Sequence, residues 1–293
     1  MNSNIYTDYP NKDSNRRTRR ISSTGVKGLL FLILFLVAMG SCNKENVKLA
    51  FNDIPVVESY LINNQPVSVK ISRKTPSDSN VVFSNDNLDS LKVKIIFGNQ
   101  TRILPSVGNG VYKDNTFLPQ EGITYNLEFK YNNQLVTSST VIPTKPANYK
   151  QSVTQIAMPS FSSGSFPTTR PTMPDPVQLT WTNTDLSYYM VVIENIEKSP
   201  VAISDFGGKA PPGRFFRNEP MQANQYEIPS MNFQYLGRHR LILYHLDADY
   251  TDLYKDSGNS SQNLTNPATN IINGLGIFTG LNADTLMISV VRQ

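Results

Sequence analysis

Cysteine is almost missing from this chain. It occurs once, at Cys42, which excludes an internal disulfide and any thiolate metal cluster. Histidine is nearly as scarce, with only His239 and His245. Residues six apart on a strand share a face but lie ~20 Å apart along it, so this pair cannot chelate one ion. Long stripes of helical period are absent. No G-x-S-x-G elbow, H-E-x-x-H pair or glycine-rich phosphate loop occurs. "DFGG" (Asp205–Gly208) has none of the companions a kinase would need. The acidic cluster Asp247, Asp249, Asp252 and Asp256 fails as an EF-hand. Counted from Asp247, the sixth position is Asp252 rather than Gly, and the twelfth is Gly258 rather than Glu. These absences predict no metal and no cofactor. Ser–His–Asp chemistry assembles across a fold, so an envelope hydrolase stays as a second alternative reading.

A one-signed charge is also lacking once the N-terminus is set apart. Residues 1–41 hold Lys12, Arg16, Arg17, Arg19, Arg20 and Lys27 against Asp8 and Asp13. Taking these six cations and two anions from 27 and 23 leaves 21 of each. A neutral remainder has no basic face for a nucleic acid. The one long apolar run, from Gly28 to Met39, has about 12 residues where a membrane span needs ~20. A basic flank, a short apolar core and then Gly40 and Ser41 make a secretory signal peptide over residues 1–41. "TRRISS" (Thr18–Ser23) has too few arginines for a twin-arginine signal, so general secretion is expected.

"MGSC" (Met39–Cys42) resembles a bacterial lipobox, with Met39 in place of the usual Leu. The resemblance implies diacylglycerol on the Cys42 thiol, cleavage before it and acylation of the new amine. Each buried methylene contributes ~0.8 kcal/mol, so two or three acyl chains anchor a folded domain stably. "CNKEN" is similar to the short charged tags behind the lipidated Cys of Bacteroidota surface lipoproteins. Residues 42–53 then read as a tether.

What remains is rich in Asn, Ser, Thr, Tyr, Val and Ile, which suit pleated sheet and turns. Period-two runs are frequent. Strands are predicted over Val56–Ile62, Val67–Ser72 and Leu91–Gly98, and a hairpin over Thr124–Ile142. In the hairpin Tyr125, Leu127, Phe129 and Tyr131 share a face, and Asn132-Asn133 supplies the turn. The expected fold is mostly β: an N-terminal Ig-like β-sandwich over 54–145, then a second β-rich domain over 177–293 with one short helix. "PTKP" (Pro143–Pro146) reads as a hinge. Residues 146–176 read as a Pro/Ser/Thr-rich linker and loop, with five prolines in 158–176. The second domain takes strands at Val177–Asn183, Ser187–Ile196, Arg238–Ala248 and Asp284–Arg292. Tyr250, Leu253 and Tyr254 stand at helical spacing, with Asp249 placed to cap the first turn and Gly258 to end the last. The stretch 199–220 reads as an irregular loop.

Phe161, Phe166, Phe215 and Phe216 fall in predicted loops. Apolar rings there either pin the loop to the core or bind something, which makes these four the candidate ligand-binding residues for a glycan or other small ligand. "DSL" (Asp89–Leu91) and "DTL" (Asp284–Leu286) look like the three-residue O-glycosylation signal of secreted Bacteroidota proteins.

"LILYHLDADYTDLYKDSGN" followed by "NPATNIINGLGIFTG" (Asn266–Gly280) resembles the end of the DUF4249 group. That is a family of Bacteroidota outer-membrane lipoproteins carrying a domain of unknown function. "VVESYLI" and "GVYKDN" before "GITYNLEF" fit its N-terminal half, an arrangement similar to carboxypeptidase-regulatory-like β-sandwiches. The resemblance implies lipid anchoring at the outer membrane, on its periplasmic or cell-surface face, beside a TonB-dependent receptor in nutrient uptake. It carries over no catalytic residues. Within "NIINGLGIF", Asn273-Gly274 and Gly276 suit a tight turn, and Ile272, Leu275, Ile277 and Phe278 are expected to plug the core. The expectation is therefore a non-enzymatic binding or accessory lipoprotein. A surface glycan-binding lipoprotein is the first alternative.

Overall fold

Alternation in the sequence becomes alternate burial in the fold. The computed structural model describes residues 53–74, 88–159, 172–204, 213–256 and 268–293. In β1 (Pro55–Ile62) Val57, Ser59 and Leu61 are buried while Glu58 and Tyr60 face out. In β2 (Val67–Arg73) Val67, Val69 and Ile71 are buried. Short strands β3 (Lys94–Phe97), β4 (Gln100–Ile103), β5 (Ser106–Gly108) and β6 (Val111–Asp114) lead to the hairpin of β7 (Thr124–Tyr131) and β8 (Gln134–Val141). Its turn places Asn132 and Asn133 at φ of 48° and 61°. Asparagine tolerates the left-handed region, and a two-residue hairpin turn of this kind requires it at both positions.

The second half adds β9 (Ala147–Gln151), β10 (Gln155–Met158), β11 (Val177–Thr182), β12 (Tyr188–Asn195), β13 (Phe215–Arg217) and β14 (Gln225–Ile228). It closes with β15 (Gly237–Leu246), the helix α1 (Ala248–Asp256) and β16 (Leu275–Arg292). The helix begins at Ala248, so Asp249 lies inside its first turn rather than at a cap, and its carboxylate accepts from Asn270 Nδ2 at 2.8 Å. Gly258 lies outside the described residues.

Two layered cores result. One sheet runs β4-β3-β7-β8 and packs on β1, β2 and β6, with Ile95, Leu127 and Phe129 meeting Val57, Val69 and Ile71. The other core lies between β14-β11-β9 and β12-β15-β16, with Leu179, Trp181 and Ile228 meeting Val191, Leu241 and Ile288. Both cores are sandwiches of two sheets, as alternating inward faces demand.

β16 ties the two together. It pairs parallel to β1 through Leu275–Leu281 and antiparallel to β15 through Leu281–Val290. It also receives β10 alongside Ser289–Arg292. The result is a continuous sheet, β13-β12-β15-β16-β1-β2-β6-β5, that belongs to both sandwiches. Phe278 of β16 and the preceding Ile271 are buried in the first core, Ile288 and Val290 in the second. Phe51–Gln293 accordingly forms one compact unit.

Several sequence expectations change here. The 146–176 segment, read as linker and loop, opens with strands β9 and β10. The stretch 199–220, read as irregular, contains edge strand β13. "NIINGLGIF" makes the expected turn at Asn273-Gly274 and then runs straight into an 18-residue strand from Leu275. Asn273 (φ 59°) and Gly276 (φ 97°) do take left-handed backbone, and Ile277 and Phe278 are buried. Ile272 is not: its backbone bridges Thr137 and its side chain is 63% exposed.

The proline-bounded segment expected as a hinge is pinned from both sandwiches. The His245 Nδ1 proton is donated to the Thr144 carbonyl at 2.7 Å. Asn282 Nδ2 donates to the Pro143 carbonyl (2.9 Å) and to Glu121 Oε2 (2.8 Å), which also accepts from Lys145 N–H (3.0 Å). The Lys145 ammonium meets Asp284 at 3.0 Å.

Candidate functional site

The sheet edge at β13 carries the candidate site. β13 pairs with β12 through Ile193–Phe216 and Glu194–Phe215 and ends the nine-stranded sheet. Strand alternation then separates its two rings. Phe216 turns inward and packs on the second core. Phe215 points away and is 66% exposed. Of the two sequence candidates here, Phe216 is a core anchor as well as a wall, and Phe215 is the ring free to meet a ligand. Phe161 and Phe166 lie outside the described residues, as do Cys42 and the 1–41 signal segment.

Beside these rings is a cavity of about 170 Å³. Arg214, Phe215 and Phe216 line one side, and Asn232, Gln234 and Tyr235 contribute from the turn before β15. That turn is a 3-10 helix over Ser230–Asn232. Arg214 is held in place: Nη2 donates to the carbonyl and Oδ1 of Asn195, each at 3.3 Å, and to the Glu197 carbonyl. The wall is therefore an aromatic ring, a fixed guanidinium and two amide side chains. Such a mixture recognises polar ligands with a flat apolar face, because stacking and amide hydrogen bonds act together.

His239 also lines the cavity but is fully employed. Its Nδ1–H donates to the Gly237 carbonyl at 3.1 Å. Since a carbonyl only accepts, Nε2 is left as the acceptor, and Asn195 Nδ2 supplies its proton at 3.3 Å. The Phe233 ring stands edge-on to the imidazole at 5.3 Å. The residue is 2% exposed, and burial pushes its pKa below the usual imidazole range. This is a structural, neutral histidine with no lone pair to spare. His245 is buried as well, stacked on Tyr189 at 4.6 Å. Among the described residues no three His, Cys, Asp or Glu side chains come together as a metal site. No described helix is long and apolar enough to cross a membrane.

Arg214, Asn232 and Gln234 were not singled out by sequence. Arg214 precedes Asn232 by 18 residues and Gln234 by 20, and only pairing of β13 with β12 and the return through β15 brings them together.

Fold and site define a mostly β protein of two joined sandwiches with an aromatic, polar-walled cleft at one sheet edge. The chain belongs to the DUF4249 family, a domain of unknown function, which it matches over residues 45–286. No curated protein matches it by sequence. Among solved structures it is similar to domains A168-A170 from titin, with 10% identity, TM-score 0.21, and 81% of this chain and 67% of that one covered. It is also similar to the chicken CNTN1 FN1-FN3 domains, with 11% identity, TM-score 0.20, and 82% and 67% covered.

Proposed function

We propose that the protein is a non-enzymatic binding or accessory lipoprotein of the outer membrane, anchored by acyl chains on Cys42. It works beside a TonB-dependent receptor in nutrient uptake. The observation that carries the binding role is Phe215: a large ring left in solvent at the lip of a polar-walled cavity whose one imidazole is already satisfied on both nitrogens. A ring standing beside a concave polar wall offers apolar area that a bound ligand would bury. The signal-like segment and "MGSC" support the anchor, and family membership supports the setting.

A specific feature favours glycan binding as the second reading. Asn232 and Gln234 offer paired amide donors and acceptors beside the ring, which suits sugar hydroxyls. Three measurements separate the readings. Labelled palmitate should enter the wild-type protein in its native host and fail to enter Cys42→Ala. Affinity purification from membranes should retain a TonB-dependent receptor, and Phe215→Ala should weaken that retention. Glycan-array binding lost in Phe215→Ala, with no receptor retained, moves the assignment to the second reading. Unlabelled protein dissolved in cytosol would overturn the anchor.

A further inference from the structure

The Phe215 cleft carries a charge that nothing in its wall balances. Its lining includes one cation, Arg214, and no Asp or Glu. The two acids nearest in the chain are taken by other partners: Glu194 by Arg240 at 2.6 Å, and Glu197 by Arg238 at 3.5 Å. His239 adds no charge, because burial keeps its imidazole neutral.

Arg214 has donors to spare. All of its hydrogen bonds leave from Nη2, to the Asn195 carbonyl and Oδ1 and to the Glu197 carbonyl. None of these acceptors is an anion. They orient the guanidinium plane, and the N–H groups on Nε and Nη1 have no acceptor among the described residues. The two amides from the turn before β15 are unspent as well. Other half-buried asparagines of this sandwich are committed: Asn183 Nδ2 donates to the Ser187, Gln222 and Ala223 carbonyls, and Asn218 Oδ1 accepts from Val191 N–H at 2.6 Å. The side-chain amides of Asn232, itself half-buried, and of Gln234 make no hydrogen bond among the described residues. One cavity thus gathers a fixed guanidinium, two uncommitted amides and an exposed ring. A cavity of about 150 Å³ holds one benzene ring, so about 170 Å³ admits a single six-membered ring.

We infer that the ligand of this cleft is an acidic sugar, a pyranose ring bearing a carboxylate. The inference rests on the glycan-binding reading of the same cleft and adds the charge of its ligand. The carboxylate accepts from the unspent N–H groups of Arg214, ring hydroxyls exchange hydrogen bonds with the Asn232 and Gln234 amides, and the apolar face of the ring lies on Phe215. A held guanidinium with no carboxylate of its own selects the anion over its neutral counterpart, which would leave that charge unmatched.

The test uses purified full-length protein in detergent, titrated at about pH 7.5 and ~20 mM salt with methyl β-D-glucuronide and methyl β-D-glucoside by ligand-observed NMR. The two sugars differ only where the carboxylate replaces a hydroxymethyl group. The acid should bind at least about tenfold more tightly than the neutral sugar. Raising salt to ~0.5 M should shrink that preference about threefold or more, and Arg214→Gln should bring the two sugars within about twofold of each other. Phe215→Ala should weaken both alike. The salt titration needs no substitution, so it decides even if Arg214→Gln fails to fold. Equal binding of the two sugars by the wild-type protein, or a preference indifferent to salt, would overturn the acidic ligand and leave the glycan reading standing. Binding of neither sugar up to ~20 mM would overturn both. None of these outcomes bears on the lipid anchor.

Discussion

At the scale of single residues, two buried groups make stability depend on chemistry that can be measured. His239 is kept neutral by burial, so its folded pKa lies below that of the unfolded chain. Well above pH ~6.5 both states hold it neutral and it contributes no pH dependence. As pH falls through that value the unfolded chain takes up the proton first, and stability is lost until the folded value is also passed. The urea midpoint should therefore drop between about pH 7.5 and 5, before the carboxylates titrate, and His239→Gln should show a shallower drop. An equal slope in the two proteins would mean that another group carries it. Thr279 poses the opposite case. It is wholly buried, and its hydroxyl has no hydrogen-bond partner among the described residues. Thr279→Val keeps the β-branched shape and removes the orphan, so it should stabilise the fold by about 1 kcal/mol, read as a raised denaturation midpoint with an unchanged slope. A loss of stability would show that the hydroxyl is satisfied.

At the scale of elements, the outcome turns on how close one backbone comes to the next. Gly280 illustrates it. A Cβ there would sit 2.3 Å from the Val141 carbonyl oxygen, and Gly276 would place one 1.9 Å from that of Val57. β16 therefore lies against β8 and β1 only because these positions carry no side chain. Gly280→Ala should cost about 1–3 kcal/mol through forced backbone shifts and also disturb the bond from Gly280 N–H to Thr140 Oγ1 (2.7 Å). Thermal melting would check this, and an unchanged Tm would mean that β8 can retreat freely. The same glycines explain why "NIINGLGIF" reads as a turn in sequence. Turn glycines and close-approach glycines look alike until a neighbouring strand is known. Central strands were legible because Val67, Val69 and Ile71, or Leu127 and Phe129, alternate cleanly. Strands β4, β9 and β13 were not. They are short edge pieces, mostly exposed, and a strand that turns at most one side chain into a core writes no period into its sequence. The Phe215 ring was legible as a loop aromatic, whereas its cleft also gathers Arg214, Asn232 and Gln234, which no local pattern connects.

At the scale of the whole molecule, β16 makes the two sandwiches one thermodynamic object. The first sandwich takes Ile271 and Phe278 from the end of the chain, and the polar joint around Glu121, Asn282 and His245 stitches across the seam. Neither half keeps its core if the other melts, so unfolding should be a single cooperative transition. The chain offers a clean reporter, because its only tryptophan, Trp181, sits in the second core. Leu127 lies in the first and is fully buried, so Leu127→Ala removes about 2–5 kcal/mol there. If the sandwiches are coupled, that substitution lowers the urea midpoint seen by Trp181 fluorescence as much as the one seen by far-ultraviolet dichroism. If they were independent, Trp181 would report an unchanged midpoint while the dichroism split into two steps.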